Sequence, residues 1–209
     1  MSEIQLTLDQ VVLRAREFTK SNRKILGITG APGAGKSTVA KAIISELGEL
    51  AAFAPMDGFH LSNATLIAQG KRERKGAIDT FDAAGYANLL ERLRNQSDEV
   101  VHAPDFYREL EESIGSAIPI NKSTPLVVTE GNYLLFSDGP WGRARAAMDE
   151  CWFIDVAHDL RIERLINRHI AMGKDPESAK AWSLGSDQKN AEAILAKKGE
   201  ADLVISLLS

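Results

Sequence analysis

The sequence feature that most constrains this chain is a glycine-rich segment near its beginning. Residues 30–37 match the pattern G-x-x-x-x-G-K-[ST], and Thr38 follows. An apolar run over residues 25–29 precedes the segment, and apolar residues at helical spacing follow it over 36–47. In such a loop the glycines let consecutive N–H groups point inward at phosphate oxygens, and the helix start adds its positive dipole end. We therefore predict a nucleoside triphosphate site at Gly30, Ala31, Pro32, Gly33, Ala34, Gly35, Lys36, Ser37 and Thr38.

Two side chains of this segment have predicted chemical roles, which make ATP and Mg²⁺ the expected cofactors. Lys36 would reach the β- and γ-phosphates, and the Ser37 hydroxyl would bind Mg²⁺. A flexible glycine-rich loop is the alternative, but the strand before it and the helix after it argue against that reading. Residues 121–124 read Asn-Lys-Ser-Thr and lack the aspartate of a guanine-reading element, so a GTPase is disfavoured.

Apolar strands alternate with amphipathic helices along the chain. Helices are predicted over residues 6–20, 36–47, from 82 onward, and over 159–170. Strands are predicted over residues 25–29, 51–56, 126–128, 151–154 and 203–205. Strands that are apolar throughout and alternate with helices favour a parallel sheet covered on both faces. The predicted fold class is α/β, a three-layer α/β/α arrangement with a mostly parallel five-stranded sheet.

Composition limits the kinds of protein this chain could be. Its 209 residues, 44% hydrophobic and 26% charged, suit one compact domain. A net charge of −4 argues against a nucleic-acid groove or an anionic membrane surface as the main partner. The single cysteine, Cys151, excludes an internal disulfide. With no signal peptide and no apolar run near the roughly 20 residues of a membrane span, we expect a soluble cytoplasmic protein.

Two acidic residues follow predicted strands. Asp57 comes after the second strand, where it would lie at the carboxyl edge of the sheet and could act as a general base. An aspartate capping the turn with Gly58 is the alternative. Glu130 follows the most apolar strand, and a strand-end acid without a chemical role is its alternative.

Several elements taken together resemble a group of P-loop kinases that includes uridine kinase, phosphoribulokinase and bacterial pantothenate kinase. The matching segments are residues 30–38, 57–60, 75–82, 128–131 and 159–168. More narrowly, the sequence is similar to bacterial proteins labelled as fructose-transport-system kinases, a label that does not by itself establish a fructose substrate. The resemblance implies a P-loop NTPase fold in which Asp57 is the catalytic base. It also implies that Glu130 holds Mg²⁺ or approaches the γ-phosphate.

The same resemblance gives the arginine-rich helix a role. Arg161, Arg164 and Arg168 are spaced to lie on one face of the helix predicted over 159–170. Arg164 and Arg168 match lid arginines that would act on the transferring phosphoryl group. A solvated basic face paired with acids of the same helix is the alternative. We therefore expect residues 1–209 to form a single kinase domain with a lid over about 159–190.

The acceptor pocket is the least determined part of the prediction. Its candidate residues are Asp57, His60, Arg74, Phe81, Asp105, Tyr107, Arg108 and Tyr133. Phe81 and Tyr133 could equally be core aromatics, and a lone histidine such as His60 is often only a local structural group. The mixture of acid, base and aromatics over 104–108 suits a polyol or anion pocket, or equally a surface turn.

These features predict an ATP-dependent phosphotransferase that moves the γ-phosphoryl group to an alcohol of a small metabolite, such as a sugar, nucleoside or pantothenate-like compound. A nucleoside or pantothenate kinase proper is a close alternative. An alternative of another class is a regulatory ATPase that switches a protein partner, which would turn over nucleotide without a small acceptor. We expect a small-molecule substrate and no nucleic-acid or membrane partner, and a homodimer is one possible assembly.

Overall fold

The computed structural model describes residues 2–208, which form a main sheet, a separate hairpin and eight α-helices. The strands are β1 (Ser2–Leu6), β2 (Lys24–Thr29), β3 (Ala51–Phe53), β4 (Val100–Tyr107), β5 (Glu112–Asn121), β6 (Leu126–Glu130), β7 (Glu150–Asp155) and β8 (Leu203–Leu207). The helices are α1 (Leu8–Arg16), α2 (Lys36–Leu47), α3 (Asn63–Ala68), α4 (Ala83–Arg94), α5 (Pro140–Ala147), α6 (His158–Ala171), α7 (Pro176–Leu184) and α8 (Ser186–Leu195).

The main sheet has six parallel strands in the order β1-β8-β7-β2-β6-β3, so the predicted count of five is one too low. The additional strand is β1, which pairs with β8 along one edge. The predicted first helix began at Leu6, whereas α1 begins after Thr7, whose hydroxyl and backbone exchange hydrogen bonds with Gln10. Edge strand β1 has polar residues between its apolar ones, and this pattern does not stand out from the helix that follows.

The sheet carries a hydrophobic layer on each face. Alternate residues of β2 point to opposite sides, so Ile25 belongs to one cluster and Leu26 to the other. The Ile25 side is covered by α4 and α5, and the Leu26 side is covered by α1 and α2. The fold is therefore the expected three-layer α/β/α arrangement.

A two-stranded antiparallel hairpin, β4 and β5, lies outside the main sheet and was not predicted. Its base is anchored in the core by Val101, Ala103 and Ile120, all fully buried. The outer half is mostly polar and only partly buried, and its pairing shifts register between Ala103 and Asp105. Because this half lacks a continuous apolar face, its sequence does not display the alternation of an ordinary strand.

Between β7 and β8 the chain forms three consecutive helices, α6 to α8. The predicted helix over 159–170 corresponds to α6, which ends before Gly173 in a left-handed conformation, φ +90°. Within residues 2–208, every helix is too short or too polar to cross a membrane.

The buried thiol of Cys151 provides a test of this core. Cys151 lies in β7 with no exposed surface, and burial raises the pKa of its thiol to about 12. We therefore expect a thiol-reactive chromogenic disulfide at pH 8 to label the native protein only on the timescale of unfolding. Labelling should become rapid in urea as the sheet unfolds. Rapid labelling in native buffer would contradict the packing described here.

Candidate active site

The predicted phosphate loop connects β2 to α2, at the carboxyl edge of the sheet. Its backbone is left-handed at Gly30, Gly33 and Gly35, with φ values of +148°, +85° and +97°. Helix α2 begins at Lys36, directly after the last of these glycines. This geometry directs the first N–H groups of α2 toward the space above the loop, which suits an anion.

Parallel pairing of β2 with β6 brings an acidic residue to the same loop. The register pairs Ile28 with Glu130, the last residue of β6. Lys36 Nζ lies 4.0 Å from Glu130 Oε1 and donates a hydrogen bond of 3.2 Å to the Ala31 carbonyl. Ser37 Oγ donates to Glu130 Oε2 over 3.2 Å. The lysine, the hydroxyl and the carboxylate therefore form one contiguous group.

Burial shifts the charge equilibria of this group. Desolvation lowers the pKa of Lys36, and the nearby Glu130 and Asp57 carboxylates oppose that shift. Desolvation raises the pKa of Glu130, which the Lys36 ammonium partly offsets. Each charged form is thus disfavoured by the dry surroundings and favoured by its partner. A bound polyanion would further favour the charged lysine.

The donor atoms at this position fit a magnesium ion. A hydroxyl and a carboxylate are the hard oxygen ligands that Mg²⁺ prefers. No cluster of three or more acidic, histidine or cysteine residues that could hold a metal occurs within residues 2–208. Mg²⁺ commonly takes one or two protein ligands and completes its shell with water and phosphate oxygens, so Ser37 and Glu130 are sufficient.

Asp57 lies in a single 3-10 turn, Met56–Phe59, shortly after β3. A cavity of about 400 Å³ is lined in part by Asp57, Lys36, Ser37 and Glu130. The aspartate therefore opens onto the same space as the phosphate loop. One carboxylate oxygen, Oδ2, is 3.5 Å from Nη2 of Arg108 in the hairpin turn.

Half of the predicted acceptor residues line this cavity, namely Asp57, His60, Phe81 and Arg108. Two of the other four have partners of their own. Arg74 pairs with Asp79 through its two terminal guanidinium nitrogens, and Tyr133 is buried with its hydroxyl donating to a backbone carbonyl. Asp105 and Tyr107 line an adjoining cavity between the hairpin and α2, which Ser37, Asp57, Arg108 and Glu130 also line.

Sequence reasoning missed several residues that line the main cavity. Asn132 and Phe106 contribute from the segment after β6 and from the hairpin. His169 and Trp182 line it from α6 and α7, and His169 Nε2 lies 2.7 Å from an oxygen of Asp187. The position of Asn132 two residues after Glu130 was an available signal. The sequence held no such signal for His169 and Trp182, because the turns that bring α6 to α8 to the cavity depend on tertiary packing.

Two of the three arginines of α6 face the phosphate loop without being buried by it. Arg168 lines the cavity, and Nη1 of Arg164 lies 3.7 Å from the position that a Cβ atom would take at Gly35. Arg161 differs because it is only 2% exposed. It donates to the Pro32 carbonyl over 3.4 Å, and so its guanidinium holds the loop.

Gly33 allows α6 to lie directly against the loop. A Cβ atom at this position would be 2.7 Å from the Arg161 carbonyl oxygen and 2.9 Å from the Leu165 side chain. The absence of a side chain is therefore needed for contact with the helix as well as for the left-handed backbone.

Substitution of this glycine tests the contact. Gly173 is a matched control, because its φ of +90° is close to the +85° of Gly33, but a Cβ atom there would meet nothing within 4 Å. We expect Gly173→Ala to lower the free energy of unfolding by about 1 kcal/mol, from backbone strain alone. Gly33→Ala should lower it by about 3 kcal/mol, since overpacking adds to that strain. Equal losses in urea titrations would indicate that α6 does not rest on the loop.

Comparison with known proteins identifies the family. A sequence model of the phosphoribulokinase/uridine kinase family matches residues 25–209. The chain belongs to this family. The ATP-dependent kinase-like protein notR' of Aspergillus versicolor is 34% identical over 67% of this chain and 87% of its own length. The protein YggC of Escherichia coli is 33% identical over 88% of this chain and 78% of its own.

Solved structures agree with the family assignment. A protein of Silicibacter sp. TM1040, whose name associates it with a fructose transport system kinase, superposes with a TM-score of 0.83 at 34% identity. The match covers 95% of this chain and 98% of that one. YFH7 of Saccharomyces cerevisiae shares the fold at 18% identity, with a TM-score of 0.79 over 97% of this chain and 98% of its own. The chain is therefore an ATP-using kinase of small molecules, as its sequence motifs predicted.

Proposed function

We propose that this kinase transfers the γ-phosphoryl group of ATP to an alcohol of a small metabolite, with Asp57 as the base. One observation carries the proposal: the Asp57 carboxylate opens onto the same cavity as Lys36, Ser37 and Glu130. Phosphoryl transfer needs a positioned hydroxyl and stabilised phosphate charge in one enclosed place, and these four side chains meet both needs.

In this proposal the loop over residues 30–38 binds the nucleotide. Its backbone N–H groups and the Lys36 ammonium bind the β- and γ-phosphate oxygens. Ser37 and Glu130 would hold Mg²⁺, which when bound neutralises charge on the phosphate oxygens. Arg164 and Arg168 on α6 add positive charge beside the loop, where they stabilise the phosphoryl group as it moves.

Asp57 acts on the acceptor alcohol. Its carboxylate accepts a hydrogen bond from the attacking hydroxyl and orients it toward the γ-phosphorus. As the new oxygen–phosphorus bond forms, the hydroxyl proton passes to the carboxylate. The surrounding wall of His60, Phe81 and Arg108 confines the acceptor, which supports a small-molecule alcohol over water as the nucleophile.

Replacement of the base provides the first test. Asp57→Asn keeps the shape of the side chain but cannot accept the proton, so we expect phosphorylated product to fall by about 100-fold or more. ATP affinity should change by less than about twofold, because this residue acts on the acceptor. Asp98→Asn, an exposed acid that pairs with Arg92, is the matched control and should retain activity.

The assay should measure phosphorylated product as well as ADP release, with sugars, nucleosides and pantothenate as acceptors. Full product formation by Asp57→Asn would remove the base assignment. ADP release that no acceptor stimulates, but that a protein partner does, would favour a regulatory ATPase instead.

Replacement of the buried lysine tests the nucleotide half separately. Lys36→Ala removes a charge-assisted phosphate contact, and we expect ATP to bind about 10- to 100-fold more weakly by calorimetric titration. Lys20→Ala, an exposed lysine that pairs with Glu17 after α1, is the control and should bind ATP normally. Equal affinity in both variants would mean that Lys36 does not contact the phosphates.

A further inference from the structure

Arg108 is held in the cavity by a single weak contact. It lies in the turn between β4 and β5, and about half of its side chain is exposed. Its only side-chain partner within residues 2–208 is Asp57, at 3.5 Å, the outer limit of a hydrogen bond. A guanidinium group has several N–H donors in a planar fork, so most of the binding capacity of Arg108 remains unused beside the proposed base.

This contact has a consequence for the base. Asp57 must offer a carboxylate oxygen to the acceptor hydroxyl, and Arg108 competes for one of them. A ligand that draws the guanidinium toward itself would leave Asp57 available to the hydroxyl. Carboxylates and phosphates do this best, because they accept two parallel hydrogen bonds from arginine.

The same wall presents a hydrogen-bond acceptor of defined orientation. His60 Nδ1 lies 2.8 Å from the Asp57 carbonyl oxygen, which can only accept, so Nδ1 carries the proton. Burial lowers the pKa of His60, and the ring is therefore neutral near pH 7 with a lone pair on Nε2. Phe81 and Phe106 hold the ring at centroid distances of 4.0 and 4.8 Å.

The lone pair of His60 Nε2 has no hydrogen-bond partner within the described residues, and the ring lines the cavity. Only an O–H or N–H group can satisfy it.

The remaining charged side chains of this wall are Arg72, Lys75, Glu73 and Glu111. Lys75 is already engaged, with its Nζ 2.9 Å from the Asn63 side chain and 4.9 Å from the Phe106 ring centroid. Arg72 forms no side-chain hydrogen bond or ion pair within residues 2–208, and the two glutamates offset the charge of Arg72 and Lys75.

We propose that the phosphoryl acceptor is a small hydroxylated anion whose carboxylate or phosphate group binds Arg108 in exchange for Asp57, while one of its hydroxyls donates to His60 Nε2. This inference rests on the proposed function and names its substrate class. Asp57, released from Arg108, accepts a hydrogen bond from another hydroxyl of the acceptor, and that hydroxyl attacks the γ-phosphorus. The bond from that phosphorus to the β–γ bridging oxygen breaks, and its electron pair leaves on ADP. The hydroxyl proton passes to Asp57.

Matched acceptor pairs that differ in charge test the anion requirement. We would compare glycerate with glycerol, pantothenate with panthenol, and fructose 6-phosphate with fructose, measuring phosphorylated product. We expect at least one anionic member to exceed its neutral partner by about 10-fold or more in kcat/KM. The carboxylate pairs and the phosphate pair separate the two kinds of anion.

Arg108→Ala tests whether the preference for anionic acceptors depends on this residue. It should raise the KM of the preferred anion by about 10- to 100-fold, leave the KM of ATP unchanged and abolish the preference over the neutral partner. Arg92→Ala, an exposed arginine at the far end of α4, is the control and should behave as the wild type. An anion preference that survives in Arg108→Ala would overturn the assignment.

Two variants of His60 separate its hydrogen bond from its packing. His60→Phe keeps the aromatic stack but offers no acceptor, and it should raise the KM of the acceptor about 10-fold. His60→Gln provides a carbonyl oxygen and should restore most of that loss. Equal effects of the two variants would reduce His60 to a packing role.

The outcomes also distinguish this inference from the proposed function. Efficient phosphorylation of a neutral alcohol, without preference for its anionic counterpart, would overturn the inference and leave the kinase mechanism intact. ATP hydrolysis without phosphorylation of any of the six compounds would count against both.

Discussion

The parallel pairing of β2 with β6 is the constraint on which the rest of the site depends. Both strands end at one edge of the sheet, and their register brings Glu130 beside the loop that follows β2. Since β3 pairs with β6 on its other side, the turn that carries Asp57 emerges at the same edge. Three segments far apart in sequence thus contribute side chains to a common cavity because their strands end at the same edge of the sheet.

Contact between α6 and the phosphate loop ties the predicted lid to the predicted nucleotide site. Because Gly33 has no side chain, the helix backbone can approach the loop, and the buried Arg161 holds the Pro32 carbonyl from the same helix. The positions of Arg164 and Arg168 are consequently tied to the loop itself. A single helix therefore combines an arginine that holds the loop with two that we propose to act on phosphate.

The proposed acceptor side of the cavity is built on a different kind of structure. His60 follows a short turn, Phe81 precedes α4, and Arg108 occupies the tip of a hairpin outside the main sheet. These segments are held by aromatic contacts, by backbone hydrogen bonds between residues 59–61 and 80–82, and by the pairing of the hairpin itself, all outside the register of the main sheet. In the proposed mechanism the acceptor side of the cavity is therefore built on segments that the main sheet does not position directly.

The local sequence pattern by itself determined many of the secondary-structure elements of this protein. The phosphate loop, α2, α6 and the central strands follow from residues adjacent in sequence, because a glycine-rich turn and an apolar period depend on near neighbours. Tertiary structure alone decided that β1 joins the sheet, that residues 100–121 form a hairpin, and that Arg108 faces Asp57 while Arg74 pairs with Asp79. Edge pairing and the direction of a loop side chain depend on which distant groups come near it, and one sequence carries no local signal of those distances.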